Sequence, residues 1–318
     1  MKSNPGSSIC HAARVVFAAG VLGVSTLQSQ ELEPRAYSNV PIGMNFALAG
    51  YAYTTGDVLL DTSAPLQDAE ISAHMIMLAY ARSLNLGGNN GKVDVLVPYG
   101  WASGSATYLG QPHQRDVNGF GDPAVRMTWN FIGAPALSVP EFRDYHPDWI
   151  VGGSFRVGLP LGQYDENRLL NLGQNRWSFK PELGVSKAWR RWTFELAGGA
   201  TFYTDNDEFF GNSTREQEPL VAVQGHVIYS CGKGIWAGLD GTYYTGGRTT
   251  VNGTASDDRQ FSSRVGLTVS FPVTPHHSFK LFASLGATAR AGGDFTTAGV
   301  LWQYRWGGKN SVATAETK

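Results

Sequence analysis

A two-residue alternation of apolar and polar side chains, held over segments longer than the strands of soluble proteins, constrains this chain more than any other feature. Between 175 and 189, Trp177, Phe179, Pro181, Leu183, Val185 and Trp189 share one face, and Arg176, Ser178, Lys180, Glu182, Gly184 and Ser186 the other. The segment 192–204 repeats this, with Trp192, Phe194, Leu196 and Phe202 against Thr193, Glu195, Thr201 and Tyr203. In 259–271, Phe261, Val265, Leu267, Val269 and Phe271 oppose Ser262, Arg264, Thr268 and Ser270. A helix would scatter these residues around its axis; a strand separates them into two faces.

From residue 43 onward the segments with strand character are 43–56, 71–84, 92–104, 119–132, 148–161, 175–189, 192–204, 219–231, 235–247, 259–271, 278–291 and 294–306. Most run to about 13 residues, whereas a globular strand averages about 5–6 and a tilted strand crosses a bilayer in about 9–11. The expected fold is all-β: a transmembrane antiparallel β-barrel of about 12 strands, both termini periplasmic, in a bacterial outer membrane. A soluble β-sandwich also alternates, but its strands are shorter. It would also not carry Trp101, Trp129 and Trp306 outward near strand ends, where a membrane barrel has aromatic girdles.

Connection lengths alternate as well. Gly87–Gly91, Arg190–Arg191, Gly232–Gly234 and Pro272–His277 are short, while 57–70, 105–118, 162–174, 205–218 and 248–258 are long and polar. Short periplasmic turns facing long external loops are the pattern of outer-membrane barrels. Two connections run against it: 133–147 is long, with a short helix expected around Glu141–Tyr145, and 291–293 is short.

Composition agrees. Charged residues are 16% of the 318, against about 25% in soluble domains, yet mean hydropathy is only −0.19. One lipid face and one wet face per strand give such averages. The net charge of −1 argues against a nucleic-acid partner held by bulk electrostatics. Residues 1–30 read as a cleaved signal peptide, with an uncharged run from Val15 to Leu27 that is short for a spanning helix. Cys10 precedes that run, and Cys231 would be the sole cysteine of the mature chain, so no intramolecular disulfide is expected. The remaining divisions are 31–42, a periplasmic N-terminal segment or plug; 43–306, the barrel; and 307–318, a polar tail. Expected partners are outer-membrane lipids, lipopolysaccharide, a small-molecule solute and the barrel-assembly machinery. That machinery reads C-terminal aromatic strands such as the one carrying Val300, Trp302, Tyr304 and Trp306.

Opposite the apolar faces the segments collect charge, Asp94 and Asp122 among it. By alternation Arg126, Arg156, Arg176, Lys180, Glu182, Glu195, Asp240, Arg264, Lys280, Arg290 and Arg305 are expected to line the lumen. On the lipid face a midplane Arg or Lys would cost about 2–4 kcal/mol. Such charges can pair across a barrel simply to hold it together, or border a solute path whose basic excess tolerates anions. About eight strands leave room for little beyond side chains and about 16–18 leave an aqueous channel. A lumen of intermediate size conducts if neither loops nor 31–42, with Glu31, Glu33, Arg35 and Tyr37, seal it. The alternative is a non-conducting structural or ligand-binding barrel.

An outer-membrane lipid-modifying enzyme would need a Ser and a His within hydrogen-bond reach at the membrane boundary. His74 and His226 lie in strands without a Ser motif, and G-x-S-x-G does not occur. No catalytic residue, cofactor or metal is therefore assigned. Asp205-Asn-Asp-Glu208 is oxygen-rich but lacks EF-hand spacing and reads as a solvated loop.

Seven stretches carry a family resemblance: Glu33-Pro-Arg-Ala-Tyr-Ser-Asn39, Gly119-Phe-Gly-Asp-Pro123, Pro160-Leu-Gly-Gln-Tyr164, Asn171-Leu-Gly-Gln-Asn-Arg-Trp177, Phe179-Lys-Pro-Glu-Leu-Gly184, Tyr243-Tyr-Thr-Gly-Gly-Arg248 and Trp302-Gln-Tyr-Arg-Trp306. In these the chain resembles the outer-membrane proteins named for the meta-pathway of phenol degradation. The resemblance covers nearly all of the mature chain. It implies a transporter-like outer-membrane barrel for passive uptake of small compounds, hydrophobic or aromatic ones included, and carries over no functional residues.

Overall fold

Long alternating segments cannot satisfy their backbone groups alone in lipid, and closing a sheet on itself leaves no open edge. The computed structural model describes residues 33–59, 66–108, 111–289 and 292–308. The expected signal peptide, most of the expected tail and the lumen candidate Arg290 lie outside these residues.

The wall begins with β1 (Met44–Leu59), β2 (Leu66–Leu86), β3 (Asn89–Tyr108), β4 (Gln111–Phe120), β5 (Ala124–Ile132) and β6 (Trp149–Gly158). It continues through β7 (Ser178–Trp189) and β8 (Trp192–Tyr203). Two short strands, β9 (Asn206–Phe209) and β10 (Ser213–Gln217), stand outside the wall before β11 (Leu220–Gly232) and β12 (Ile235–Gly246) rejoin it. After β13 (Thr249–Val251) and β14 (Thr254–Ala255) come β15 (Gln260–Pro272), β16 (His277–Ala289) and β17 (Gly292–Gly307). Neighbouring strands pair antiparallel, and β1–β17 together with β2–β3 close the ring. Lower β3 (91–96) pairs with β5 and upper β3 (99–108) with β4. These two strands therefore share one position in a closed twelve-stranded barrel.

That division corrects the single strand expected at 119–132. The break falls at Gly121-Asp122-Pro123; a proline lacks the N–H that would continue the ladder. It is used as an anchor, since Leu159 N–H donates to Pro123 O at 2.8 Å and Gln163 N–H to Phe120 O at 2.6 Å. Of the supposed loops 57–70 and 105–118, the described residues 57–59, 66–70, 105–108 and 111–118 extend the wall strands. Loops 205–218 and 248–258 fold into a four-stranded sheet ordered β14-β13-β10-β9. At the opposite, short-turn rim, Gly87 and Gly88 both have φ above +60°, the requirement of a two-residue hairpin turn matching strand twist. The 133–148 connection on this rim carries one 3-10 turn, Glu141–Arg143.

The outside is apolar. Leu183 (66% exposed), Leu239, Leu267, Leu281 and Leu285 form a belt, bordered by Trp129, Trp149, Trp189 and Trp192 near the short-turn rim and by Trp101, Trp177 and Phe202 towards the long-loop rim. A water-soluble monomer does not expose a continuous band of this kind; lipid covers it. Leu183→Arg is expected to cost about 2–4 kcal/mol in bilayer-inserted protein, measured by denaturant unfolding in lipid vesicles. Unchanged stability would place Leu183 outside the lipid belt.

Candidate functional site

The lumen has two unlike halves. In the short-turn half, residues 33–42 run among inward side chains. Arg126 on β5 donates Nη2 to Glu33 Oε1 at 2.8 Å and Nη1 to Glu33 Oε2, while its Nε donates to Asp94 Oδ1 at 3.0 Å. Burial alone would raise the Glu33 carboxyl, but the Arg126 charge and fork hold it well below the usual carboxylate range. Arg35 donates its N–H to Glu195 Oε2 at 2.7 Å, and its guanidinium lies 5.1 Å from the Trp236 ring centre. Further backbone anchors are Lys92 Nζ to Ala36 O, Asn130 Nδ2 to Tyr37 O and Asn90 Nδ2 to Val40 O.

Tyr37 is the fixed point of this segment. It is 3% exposed, packs with Ala134, Ile150 and Ala197, and donates its hydroxyl to Glu182 Oε1 at 2.8 Å. Its ring occupies a slot made by two glycines directly opposite each other, Gly152 on β6 and Gly184 on β7. A Cβ at Gly184 would stand 2.1 Å from Tyr37 Cε2, and one at Gly152 2.8 Å from Cδ1.

The charges predicted to face inward share rows. Asp94, Arg126, Arg156 and Lys180 are successive cross-strand partners from β3 to β7. Lys180 pairs with Glu182 at 3.1 Å, and Gln224 Nε2 donates to the same carboxylate at 3.2 Å. Asp240 takes His226 Nδ1 at 2.7 Å and Thr268 Oγ1 at 2.7 Å; His226 Nε2 is buried without a hydrogen-bond partner among the described residues. Lys280 Nζ lies 5.8 Å from the Trp236 ring centre. Arg264, higher up, donates to Ser284 Oγ and Phe295 O, both at 3.0 Å. Arg305 is exposed at the short-turn rim, with Nε donating to Pro275 O. Arg126→Ala would remove the cation that both Glu33 and Asp94 hydrogen-bond, leaving Lys92 and Lys280 as the nearby positive charges. The expected loss is roughly 2–4 kcal/mol, towards the low end of the buried-pair range because these side chains keep 19–34% exposure. Denaturant unfolding of the refolded barrel checks it, and Arg126→Ala with Glu33→Gln should recover part of the loss.

In the long-loop half one sector of the interior, on β2, β3, β4 and β17, turns apolar, which alternation did not anticipate. Ile71, Ala73 and Met75 of β2, Ala102 of β3, Val117 of β4 and Phe295 of β17 form one buried cluster with Leu170 and Leu172. The two leucines belong to the 159–177 connection, which folds inward. Asp122 holds it by accepting Gly162 N–H at 2.9 Å and Gln174 N–H at 2.8 Å, and Arg115 Nε donates to Leu170 O at 3.0 Å. Gly104 leaves the space that Leu170 enters, a Cβ there meeting Leu170 Cδ2 at 3.0 Å. Arg176 sits at the end of this connection, buried, with Nη2 donating to Gln174 at 3.2 Å and to Gln217.

Among the described residues no cluster of three His, Cys, Asp or Glu side chains is placed to hold a metal ion. No helix among them is long and apolar enough to cross a membrane. The family described as MetA-pathway of phenol degradation matches residues 51–304. An outer membrane channel from Pseudomonas putida F1 is similar in structure at 21% identity, over 87% of this chain and 100% of that one, with a TM-score of 0.75. The transport unit of the autotransporter AIDA-I from Escherichia coli is 7% identical over 87% and 93% of the two chains, at 0.51. The beta domain of a Bordetella autotransporter is 10% identical over 82% and 99%, at 0.50. At such identities the likeness is one of fold. No curated protein matches the chain.

Proposed function

The chain belongs to the family described as MetA-pathway of phenol degradation, and on that premise we propose that it is a passive outer-membrane channel for small hydrophobic or aromatic compounds. One observation carries this reading: in the long-loop half, the inward sector formed by β2, β3, β4 and β17 is apolar where a water-filled porin would be polar, and among the described residues Leu170 and Leu172 of a surface connection cover it. A solute that replaces those leucines meets the same wall they do. Beyond lies the charged short-turn half, where residues 33–42 act as a plug. The long-loop rim faces outward and the short-turn rim the periplasm, as connection lengths favour. Signal removal at 1–30, assembly by the barrel machinery and contact with lipopolysaccharide belong to the same reading, and no chemistry on the solute is part of it.

The fullness of the lumen favours a second reading, a non-conducting ligand-binding barrel. Proteoliposomes separate the two. The channel reading expects uptake above that of protein-free vesicles across a panel from phenol and benzoate to alkanes, with sugars admitted least. Solute-independent permeability, or none, would reject it.

A further inference from the structure

We propose that Arg176 and Arg215 form a binding site for a small aromatic monocarboxylate at the long-loop mouth of the barrel. The inference deepens the channel reading and rests on it for its use. Arg176, just before β7, is 5% exposed, and Arg215, in β10 of the outer sheet, is 7% exposed. They share one place: the Arg176 guanidinium donates to Gln217, which lies two residues from Arg215 on the same face of β10. Each stands over an aromatic ring, Arg176 at 4.3 Å from the Tyr203 centre and Arg215 at 5.7 Å from that of Phe209.

What the pair lacks is an anion. Neither arginine makes an ion pair with a carboxylate among the described residues. Of the carboxylates near them, Asp122 accepts the N–H groups of Gly162 and Gln174, Asp258 accepts the N–H and hydroxyl of Thr249, and Asp205 is exposed to solvent. Arg176 Nη1 is buried with no hydrogen-bond partner among the described residues. Two guanidiniums withdrawn from water with no carboxylate in direct contact are costly. Burial, and then the charge of Arg176, pushes Arg215 down to about 9. An arginine fork fits a planar carboxylate through paired N–H donors, and the Tyr203 and Phe209 faces suit an attached ring.

Charge and access limit the ligand further. An open cavity of about 540 Å³, lined by Tyr164, Asn175 and Glu208 with Asp165 and Glu166, lies at the same rim, Asn175 being the residue before Arg176. Neither arginine lines this cavity, and its carboxylates repel an anion in proportion to its charge, so the ligand of the two guanidiniums is restricted to a monoanion.

Calorimetric titration of the refolded barrel in detergent tests this with benzoate and its neutral isostere benzamide. Benzoate is expected to bind at least about tenfold tighter than benzamide, and Arg176→Gln or Arg215→Gln to weaken benzoate by about tenfold or more. Arg215→Lys, which keeps charge but not the fork, should fall between. Benzoate should also raise the melting temperature of the wild-type barrel while benzamide does not, a readout that needs no variant to fold. Equal binding of the two probes, or benzoate affinity indifferent to both arginines, would overturn the proposal. Neither measurement needs current, so a conductance failure would sink the channel reading alone, and equal binding of the probes would sink this one alone.

Discussion

Gly184→Val, which leaves every strand pairing in place, is expected to raise the single-channel conductance of the reconstituted barrel by on the order of tenfold, from the filled towards the open state of a barrel this size. The new Cβ would stand 2.1 Å from the Tyr37 ring. Gly152 faces Gly184 across the β6–β7 pair, so the ring is held from two adjacent strands. Glu182, its hydroxyl partner, sits two residues along the same inward face. Tyr37 must leave the slot, and the N–H of Arg35 and the carboxylate of Glu33 lose register with Glu195 and Arg126. Deleting 33–42 should give the same conductance without any change in the wall. Protease sensitivity of the segment in Gly184→Val, against resistance in the wild type, separates an expelled segment from a distorted wall.

Leu170→Asp with Leu172→Asp is expected to free the 159–177 connection and remove the preference for apolar solutes. Each leucine is at most 5% exposed among Ile71, Met75, Val117 and Phe295, and even truncation to alanine in such a cluster costs about 2–5 kcal/mol. A carboxylate buried in that apolar cluster is driven back towards water. The remaining ties are Asp122 to Gly162 and Gln174 at the ends of the connection and the partly exposed Arg115 to Leu170 O and Asp165 at its middle. Sugar uptake by proteoliposomes should therefore rise in the double variant. If discrimination between alkanes and sugars stays unchanged, the apolar wall is not the selective element.

The barrel was legible where the two faces differ. In β7, β8 and β15 large apolar residues alternate with charges and hydroxyls, and Leu183, Phe194 and Leu267 do face outward. In β2 the rule has nothing to act on, because Ile71, Ala73 and Met75 are as apolar as Ile76 and Leu78 on the other side. The apolar sector of the lumen was hidden there. The same alternation placed Arg126, Lys180, Glu182, Glu195 and Asp240 among inward residues, but their partners depend on register across distant strands. The Tyr37 slot is of that kind: glycines at 152 and 184 look alike in sequence to any other pair until pairing sets them opposite. Arg176 has the parity of a lumen residue yet lies outside β7, and its link to Gln217 depends on a loop sheet that no periodicity announced.

Planar-bilayer recording on the wild-type chain and on the form lacking 33–42 tests the channel claim most directly. Small discrete steps from the wild type and steps on the order of tenfold larger from the truncated form are predicted, the lumen being filled in one and cleared in the other. An absence of current from both forms, with insertion verified by heat-modifiable mobility, would contradict it.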